Sequence, residues 1–341
     1  MKSQRILVLM HETLVPPDDL QGYSARQIQE FRTEYDVMRQ LEVLGHQVRS
    51  LGLGDDLEPL REAIREWRPH IAFNLLEEFN GIVSYDQHVV AYLELMQQRY
   101  TGCNPRGLMM SRDKALAKKI LAYHQILTPR FAVLPKGRRV AVPPSLRYPL
   151  FVKSVIDDAS LGISRASIVS SERKLKQRVE FIHEHTGSDA LVEEYIAGRE
   201  LYVPVLGNDR LTVYPVWELS ITGKKEPTPL IATRRTKWNA DYRNKHGIDT
   251  HVAQDLSPAL QKHINTVSAD IYRTLSLTGY ARLDFRLTTD NQLYFLEANA
   301  NPNLSADEDL AASAAHRGDD YAALLGKILK LGLAYKAAWK A

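Results

Sequence analysis

Cysteine and long apolar runs, which would indicate a disulfide-rich, secreted or membrane protein, are scarce in this sequence. It has one cysteine, Cys103, among 341 residues, which excludes an intramolecular disulfide framework and a cysteine-based zinc cluster. Such sparse cysteine is typical of a reducing compartment, so we expect a cytoplasmic protein. The apolar run at residues 6–10 is too short for the core of a secretory signal, and no run approaches the roughly 20 apolar residues of a transmembrane helix.

An excess of charge of one sign is also missing. Lysine and arginine number 44 against 41 aspartates and glutamates, and the net charge of +3 is spread along the chain. This balance argues against a nucleic-acid-binding surface, whereas it is compatible with local cationic pockets for phosphates. Hydrophobic residues make up 44% of the chain, as in a folded globular protein. We therefore expect small-molecule partners, and neither nucleic acid nor membrane.

The first third of the chain alternates between strands and helices. Strand-like runs at 6–10, 47–53 and 71–76 are separated by amphipathic helical patterns. Alternating units of this size predict a parallel sheet covered on both faces, and hence a small α/β domain over residues 1–105.

The remaining two thirds follow a different pattern. Strand-like runs such as 202–206 and 211–217 come in hairpin-like pairs, which predicts an α+β arrangement with a largely antiparallel sheet. The change of pattern marks a domain boundary, and we divide this part of the chain into residues 106–200 and 201–341.

One predicted hairpin carries an unusual set of oxygen donors. Residues 282–302 read R-L-D-F-R-L-T-T-D-N-Q-L-Y-F-L-E-A-N-A-N-P, an alternating strand, a turn and a second apolar strand. In that register Asp284 and Glu297 face one another, and Asn299 is expected just beyond the second strand. Such donors suit Mg²⁺, which prefers oxygen ligands. From the pattern alone, a metal site and a plain solvated hairpin both remain open.

These residues resemble the metal-binding strand pair of the ATP-grasp superfamily, most closely its D-alanine–D-alanine ligase branch. The motif Y-T-G at 100–102 and the motif S-R-D-K at 111–114 are similar to further motifs of that branch, in the same order. The resemblance implies an ATP-grasp fold preceded by a parallel α/β domain. It also implies ATP and a pair of Mg²⁺ ions as cofactors, and a homodimer by analogy.

The resemblance assigns roles around the phosphates. Asp284, Glu297 and Asn299 would hold the metal ions. Phosphate would be contacted by the strand lysine Lys153, by the helix lysine Lys114, by a small-residue loop and by a lid lysine. The loop contains Ser160 and Gly162, and the lid lysine is Lys237. Arg282 would lie over the acyl phosphate. Of these, Arg282, Lys237 and Ser160 would act in catalysis. Each of these features also has a plain structural explanation when it is considered alone. Lys153 would be a strand-end lysine in solvent, the loop with Ser160 and Gly162 would be a surface hairpin, and Lys237 would belong to a cationic surface loop.

The resemblance also implies a nucleoside site in the stretch V-E-E-Y-I-A-G-R-E. Glu193 would accept from the adenine amino group, with Tyr195 and the backbone of Ile196 beside it, and Glu200 would hold the ribose hydroxyls. A carboxylate suits both tasks because it only accepts hydrogen bonds. Two exposed glutamates flanking a glycine turn are the alternative.

The expected substrate motifs depart from the family. The first strand is followed by H-E-T-L-V-P-P in place of the family's E-R-E-x-S, and acids at 307–309 stand near the family's carboxylate-binding Ser-Leu. Acids repel a carboxylate, so the amine-side substrate is expected to be cationic or to lack a carboxylate there. Acids that merely favour a helix N-terminus are the alternative. The candidate substrate residues are Asn303 and Glu308 on this side of the cleft, and Glu12, Glu77, Glu78 and His11 on the other side.

Three functions follow from the sequence. The leading one is an ATP-dependent ligase that joins a small-molecule carboxylate, an amino acid or peptide, to an amine through an acyl phosphate. The second is an authentic D-alanine–D-alanine ligase. The third is a nucleotide-binding regulatory protein without activity.

Overall fold

Strands of three sheets organise the chain in a computed structural model that describes residues 2–141, 144–156, 163–221 and 247–337. The strands are β1 (Arg5–His11), β2 (Gln47–Leu53), β3 (Ile71–Asn74), β4 (Phe131–Leu134), β5 (Leu150–Ser154), β6 (Ile168–Val169), β7 (Ala190–Glu194), β8 (Arg199–Gly207), β9 (Leu211–Val213), β10 (Trp217–Ile221), β11 (Ile248–Val252), β12 (Tyr280–Leu287) and β13 (Leu293–Ala300).

Helices connect and cover these sheets. They are α1 (Ala25–Glu30), α2 (Arg32–Val43), α3 (Glu58–Trp67), α4 (Asp86–Leu95), α5 (Pro105–Arg112), α6 (Lys114–Tyr123), α7 (Glu172–His185), α8 (Pro258–Thr274), α9 (Asp309–His316) and α10 (Tyr321–Ala334).

The sheets differ in strand direction as the sequence predicts. The first is parallel, with strand order β2-β1-β3. The second and third are antiparallel, with orders β4-β7-β5-β6 and β11-β10-β8-β12-β13, and β9 pairs with β8. The prediction of a parallel α/β part followed by antiparallel sheets is therefore confirmed. The domain boundaries at 105 and 200 stay a prediction.

The apolar run in β1 is buried because both of its faces are covered. Leu7 and Leu9 belong to a hydrophobic cluster that also includes residues of β8 and β12, whereas Ile6, Val8 and Met10 belong to a second cluster with α2 and α10. Alternate residues of a strand point to opposite faces, so a continuous apolar run is what a doubly covered strand requires.

The last helix, α10, packs against the N-terminal sheet. Ile328 and Leu329 share a cluster with Ile71 of β3. Gly332 allows the close approach, because a Cβ atom at this position would lie 2.8 Å from Cδ1 of Ile71 and would also overlap the carbonyl oxygen of Tyr100. The C-terminal end of the chain thus stabilises the first sheet.

The β12–β13 hairpin has the predicted register, with one correction. Asp284 lies opposite Glu297, and a β-bulge follows between Asp284 and Phe285. The second strand continues to Ala300, so Asn299 lies within β13, opposite Arg282, and the prediction that it lies beyond the strand is wrong. The extension arises because the hairpin pairing with β12 runs on past Glu297.

Candidate active site

A cleft between the second and third sheets gathers much of the predicted nucleotide and metal set. Strands β5 and β7 form one wall, and β8, β12 and β13 form the other. The predicted site residues that line this cleft are Lys153, Glu193, Tyr195, Ile196, Glu200, Asp284 and Glu297. Residues far apart in sequence therefore share one cavity.

Lys153 joins the two walls. Its Nζ lies 3.1 Å from Oε2 of Glu297 and 3.4 Å from Oε1 of Glu193, and its side chain is 5% exposed. Burial lowers the pKa of Lys153, but the carboxylates of Glu193 and Glu297 outweigh burial, so its pKa lies above the ordinary value. The side chain is a fixed cation in the cleft.

A second lysine, Lys118, was not among the sequence candidates. Its Nζ lies 3.2 Å from Oε2 of Glu193 and donates to the carbonyl oxygen of Phe295 at 3.3 Å, and the side chain is fully buried. Burial lowers the pKa of Lys118 to about 8, although Glu193 acts in the opposite direction. In the sequence Lys118 lies one helical turn after Lys114, but this spacing alone does not distinguish it from the other lysines of α6; its burial beside Leu121 is a feature of the fold.

Arg282 lies two residues before Asp284 in β12 and contacts the carboxylate of this metal candidate. Its Nε and Nη2 donate to the Asp284 carboxylate at 2.8 and 3.0 Å, and its guanidinium lies 4.9 Å from the centroid of the Tyr202 ring. Burial lowers the pKa of Arg282, but Asp284 more than offsets this, so its pKa is raised. Nη1 also lies 3.8 Å from Oδ2 of Asp309.

The hairpin offers oxygen donors that fit a magnesium ion. Asp284 and Glu297 lie opposite each other, and the buried Nδ2 of Asn299 has no hydrogen-bond partner among the described residues. Within that same part of the chain, no cluster of three or more His, Cys, Asp or Glu could hold a metal. A metal here would therefore use the two carboxylates together with the amide oxygen of Asn299.

Glu200, predicted to hold ribose, has partners that orient it. Nη2 of Arg286 donates to Oε2 of Glu200 at 2.7 Å, and the hydroxyl of Tyr202 donates to Oε1 at 3.1 Å. Arg286 also donates to the carbonyl oxygen of Gly198 at 3.1 Å and lies 5.8 Å from the centroid of the Tyr195 ring. Arg286 was missed in the sequence, although it alternates with Arg282 and Asp284 on one face of β12.

The remaining phosphate candidates lie partly outside the described residues. Lys114 is the first residue of α6 and is 4% exposed, and its backbone N–H donates at 3.1 Å to the carbonyl oxygen of Val155, which follows β5. Ser160, Gly162 and Lys237 fall in the segments that the structure does not describe.

The substrate candidates lie at the edge of the first sheet and after β13. Glu77 is exposed, and the Glu12 carboxylate packs against Gly54 at the end of β2. Oδ1 of Asn303 accepts from Oγ1 of Thr33 at 2.8 Å, a contact that ties the segment after β13 to α2. Glu308 is the N-cap residue of α9.

The chain resembles known proteins over most of its length. A family model described as the D-ala D-ala ligase C-terminus matches residues 118–330. An uncharacterized protein of Sinorhizobium fredii, y4sG, is 32% identical over 259 residues, covering 76% of this chain and 73% of that protein. The D-alanine–D-alanine ligase of Nitratidesulfovibrio vulgaris strain DP4 is 30% identical over 300 residues, covering 87% of this chain and 91% of that enzyme.

Solved structures show the same fold. The D-alanine–D-alanine ligase from Bacillus anthracis in complex with ATP superposes with a TM-score of 0.76 and 23% identity, covering 98% of each chain. The VanG D-Ala:D-Ser ligase from Enterococcus faecalis gives a TM-score of 0.72 and 20% identity, covering 97% of this chain and all of that one.

The fold and the cleft define the ATP-grasp class of C–N bond-forming ligases. Within that class the chain belongs to the D-alanine–D-alanine ligase family. The family and fold class expected from the sequence are confirmed. None of the described helices is long and apolar enough to cross a membrane.

Proposed function

We propose that the protein is an ATP-dependent ligase that joins the carboxylate of a small molecule, an amino acid or peptide, to an amine. The observation that carries the proposal is the position of Lys153, whose ammonium group contacts both the nucleoside-side carboxylate of Glu193 and the metal-side carboxylate of Glu297. A cation at this position can contact phosphate oxygens that lie between the two carboxylates.

The nucleotide would lie along the cleft from the hinge to the hairpin. Glu193, Tyr195 and Ile196 would bind adenine, and Glu200, oriented by Arg286, would bind ribose. Phosphate oxygens would be bound by lysines and by backbone N–H groups of a small-residue loop: Lys114, Lys153, Lys237, Ser160 and Gly162.

Asp284, Glu297 and Asn299 would hold a pair of magnesium ions. Bound Mg²⁺ supplies charge neutralisation at the phosphate oxygens. Lys153 and Arg282 already neutralise the two carboxylates, which allows acidic side chains to be buried in the same place.

The reaction would have two steps. A substrate carboxylate oxygen attacks the γ-phosphorus of ATP, the bond to ADP breaks, and an acyl phosphate forms. The amine nitrogen then attacks the acyl carbon, phosphate leaves with the bonding electrons, and the amine releases a proton. Arg282, charged and fixed by Asp284, would stabilise the oxyanion of the tetrahedral intermediate.

The amine-side substrate would be cationic or lack a carboxylate near α9. Asp309 lies 3.8 Å from Arg282, so one more acid borders the reacting centre. Replacing Glu308 with glutamine should raise KM for the preferred amine, and unchanged kinetics would exclude a substrate role for Glu308.

An authentic D-alanine–D-alanine ligase is the second candidate, favoured by relatives of that name such as the Nitratidesulfovibrio vulgaris enzyme. The acids at 307–309 count against it, since they would repel the carboxylate of a second D-alanine. ADP release that depends on D-alanine alone would establish it.

A homodimer is expected by analogy with the family.

The test is ADP release from Mg·ATP with a panel of amino acids, dipeptides and amines, added singly and in pairs. We expect release to need both a carboxylate and an amine, and to vanish in Glu297→Ala. Glu184→Ala, at an exposed position of α7, is the matched control and should behave as wild type. Release without any acceptor substrate, or equal release by both variants, would contradict the proposal.

A further inference from the structure

Tyr202 is a buried tyrosine of β8 that contacts two functional candidates of the cleft at once. It is 2% exposed, and its hydroxyl donates to Oε1 of Glu200 at 3.1 Å. The guanidinium of Arg282 lies 4.9 Å from the centroid of its ring. One side chain therefore joins the residue proposed to hold ribose to the arginine proposed to act in acyl transfer.

The register of two neighbouring strands explains why these residues meet. In the antiparallel pair of β8 and β12, Glu200 lies opposite Arg286 and Tyr202 lies opposite Asp284. Alternate residues of a strand share a face, so Glu200 and Tyr202 lie on one face of β8, and Arg282 shares a face of β12 with Asp284. The pairing thus places Tyr202 next to Glu200 along β8 and diagonal to Arg282 across the strand pair.

The hydroxyl of Tyr202 helps to fix the carboxylate of Glu200. A carboxylate only accepts hydrogen bonds, so the tyrosine is the donor in this contact. Nη2 of Arg286 donates to the other carboxylate oxygen, Oε2, at 2.7 Å. Each oxygen of Glu200 thus receives a donor from the protein, and its further lone pairs can accept from ribose hydroxyls. The tyrosine hydroxyl therefore sets the orientation in which Glu200 would meet the nucleotide.

The ring of Tyr202 contributes separately to the position of Arg282. It packs in a small hydrophobic cluster with Leu219 of β10 and Ile248 of β11. An aromatic ring within about 6 Å attracts a guanidinium group. The carboxylate of Asp284 binds the same guanidinium through Nε and Nη2. The ring and the carboxylate together restrain Arg282, and a ring without the hydroxyl would keep its part of this restraint.

We infer that Tyr202 is a positioning residue for both halves of the proposed reaction: its hydroxyl orients Glu200 towards ribose, and its ring holds Arg282 for acyl transfer. This inference rests on the proposed function and deepens it, because it assigns nucleotide affinity and the rate of acyl transfer to different parts of one side chain. In the sequence Tyr202 reads as an ordinary residue of a core strand.

The first test measures nucleotide binding by isothermal titration in the presence of Mg²⁺ and needs no turnover. ATP is compared with 2′,3′-dideoxy-ATP, which lacks both ribose hydroxyls. Wild type should bind ATP about tenfold more tightly than the dideoxy analogue. Tyr202→Phe should reduce this ratio to about threefold or less by weakening ATP, and leave the affinity for the analogue unchanged. An unchanged ratio in Tyr202→Phe would overturn the role of the hydroxyl.

Tyr214→Phe is the matched control for this measurement. Tyr214 is 1% exposed, and its hydroxyl donates to Oδ2 of Asp319 at 2.9 Å, so this change also removes a hydrogen bond from a buried tyrosine to a carboxylate. It should keep the wild-type ratio of the two nucleotide affinities. A similar fall of the ratio in both variants would assign the effect to a general loss of stability and overturn the role of the hydroxyl.

The second test measures kcat for ADP release at saturating ATP, carboxylate and amine. Tyr202→Phe keeps the ring and should keep kcat within about twofold, whereas Tyr202→Met should lower kcat about tenfold. Tyr214→Met is the control and should leave kcat unchanged. Equal kcat values for the two Tyr202 variants would overturn the role of the ring. If no compound supports ADP release but the nucleotide ratio still depends on Tyr202, the proposed function and the role of the ring fail, and the role of the hydroxyl stands.

Discussion

The ammonium group of Lys153 lies 3.1 Å from the carboxylate of Glu297, although the two residues belong to different sheets. This largely buried ion pair links β5 to β13 across the cleft. Each partner is held in place by the other, and removal of either takes one member from a largely buried ion pair.

Replacing Lys153 with methionine should lower ADP release by roughly 10²–10³-fold, because the fixed cation proposed to orient phosphate is lost. It should also destabilise the protein by about 1–3 kcal/mol, since Glu193 and Glu297 lose a partner. Steady-state kinetics and urea unfolding measure both effects. Lys176→Met, an exposed change on α7, should alter neither. A Lys153 variant that keeps wild-type turnover would remove the basis of the proposed function.

Replacing Lys118 with methionine should weaken ATP binding about tenfold and change kcat less. The reason is that Lys118 lies 3.2 Å from Oε2 of Glu193, and without it this carboxylate can turn away from the position proposed for adenine. Isothermal titration with ATP measures the change. Lys119→Met is the matched control, because Lys119 is the next residue on α6 and is exposed. Equal ATP affinity in both variants would show that Lys118 serves packing alone.

Local pattern was sufficient to predict the hairpin and its metal candidates. Alternation along β12 and turn residues before β13 fix which side chains oppose each other, so Asp284 and Glu297 could be paired from sequence alone. Asn299 could not be placed as well, because the last residues of β13 are extended through their pairing with β12, and their own sequence gives no strand signal.

Tertiary burial was the information that the sequence did not contain. Lys118 reads as one of several helix lysines, and only the approach of β7 and β13 to α6 shows that it is fully buried. Glu34 reads as an acid near a helix N-terminus, where the macrodipole favours it. Its burial depends on the packing of α2 against other parts of the fold.

Packing of α10 on the first sheet predicts opposite effects for two glycines of the same helix. Gly332→Ala should destabilise the protein by about 1–3 kcal/mol, because the new methyl group would overlap Ile71 and the Tyr100 carbonyl. Gly326→Ala should stabilise it by about 0.5–1 kcal/mol, since no atom lies within 4 Å and alanine favours the helix. Urea unfolding with an unchanged m-value measures both. Similar effects of the two changes would contradict the close packing of α10 on the sheet.

Burial of Glu34 predicts a pH-dependent cost in stability. Its pKa rises from an ordinary value of 4.5 to about 7, so the folded state holds the proton more tightly than the unfolded state. The carboxyl therefore costs nothing below pH 4.5, its cost grows between pH 4.5 and 7, and above pH 7 it reaches roughly 3 kcal/mol. Glu34→Gln should be more stable than wild type at pH 8, by about 1–3 kcal/mol, and the gain should shrink towards zero at pH 5. Urea unfolding of both proteins at the two pH values measures this, with Glu30→Gln as the control that should show no such trend. A gain of equal size at pH 5 and pH 8 would mean that the carboxylate is not the source of the cost.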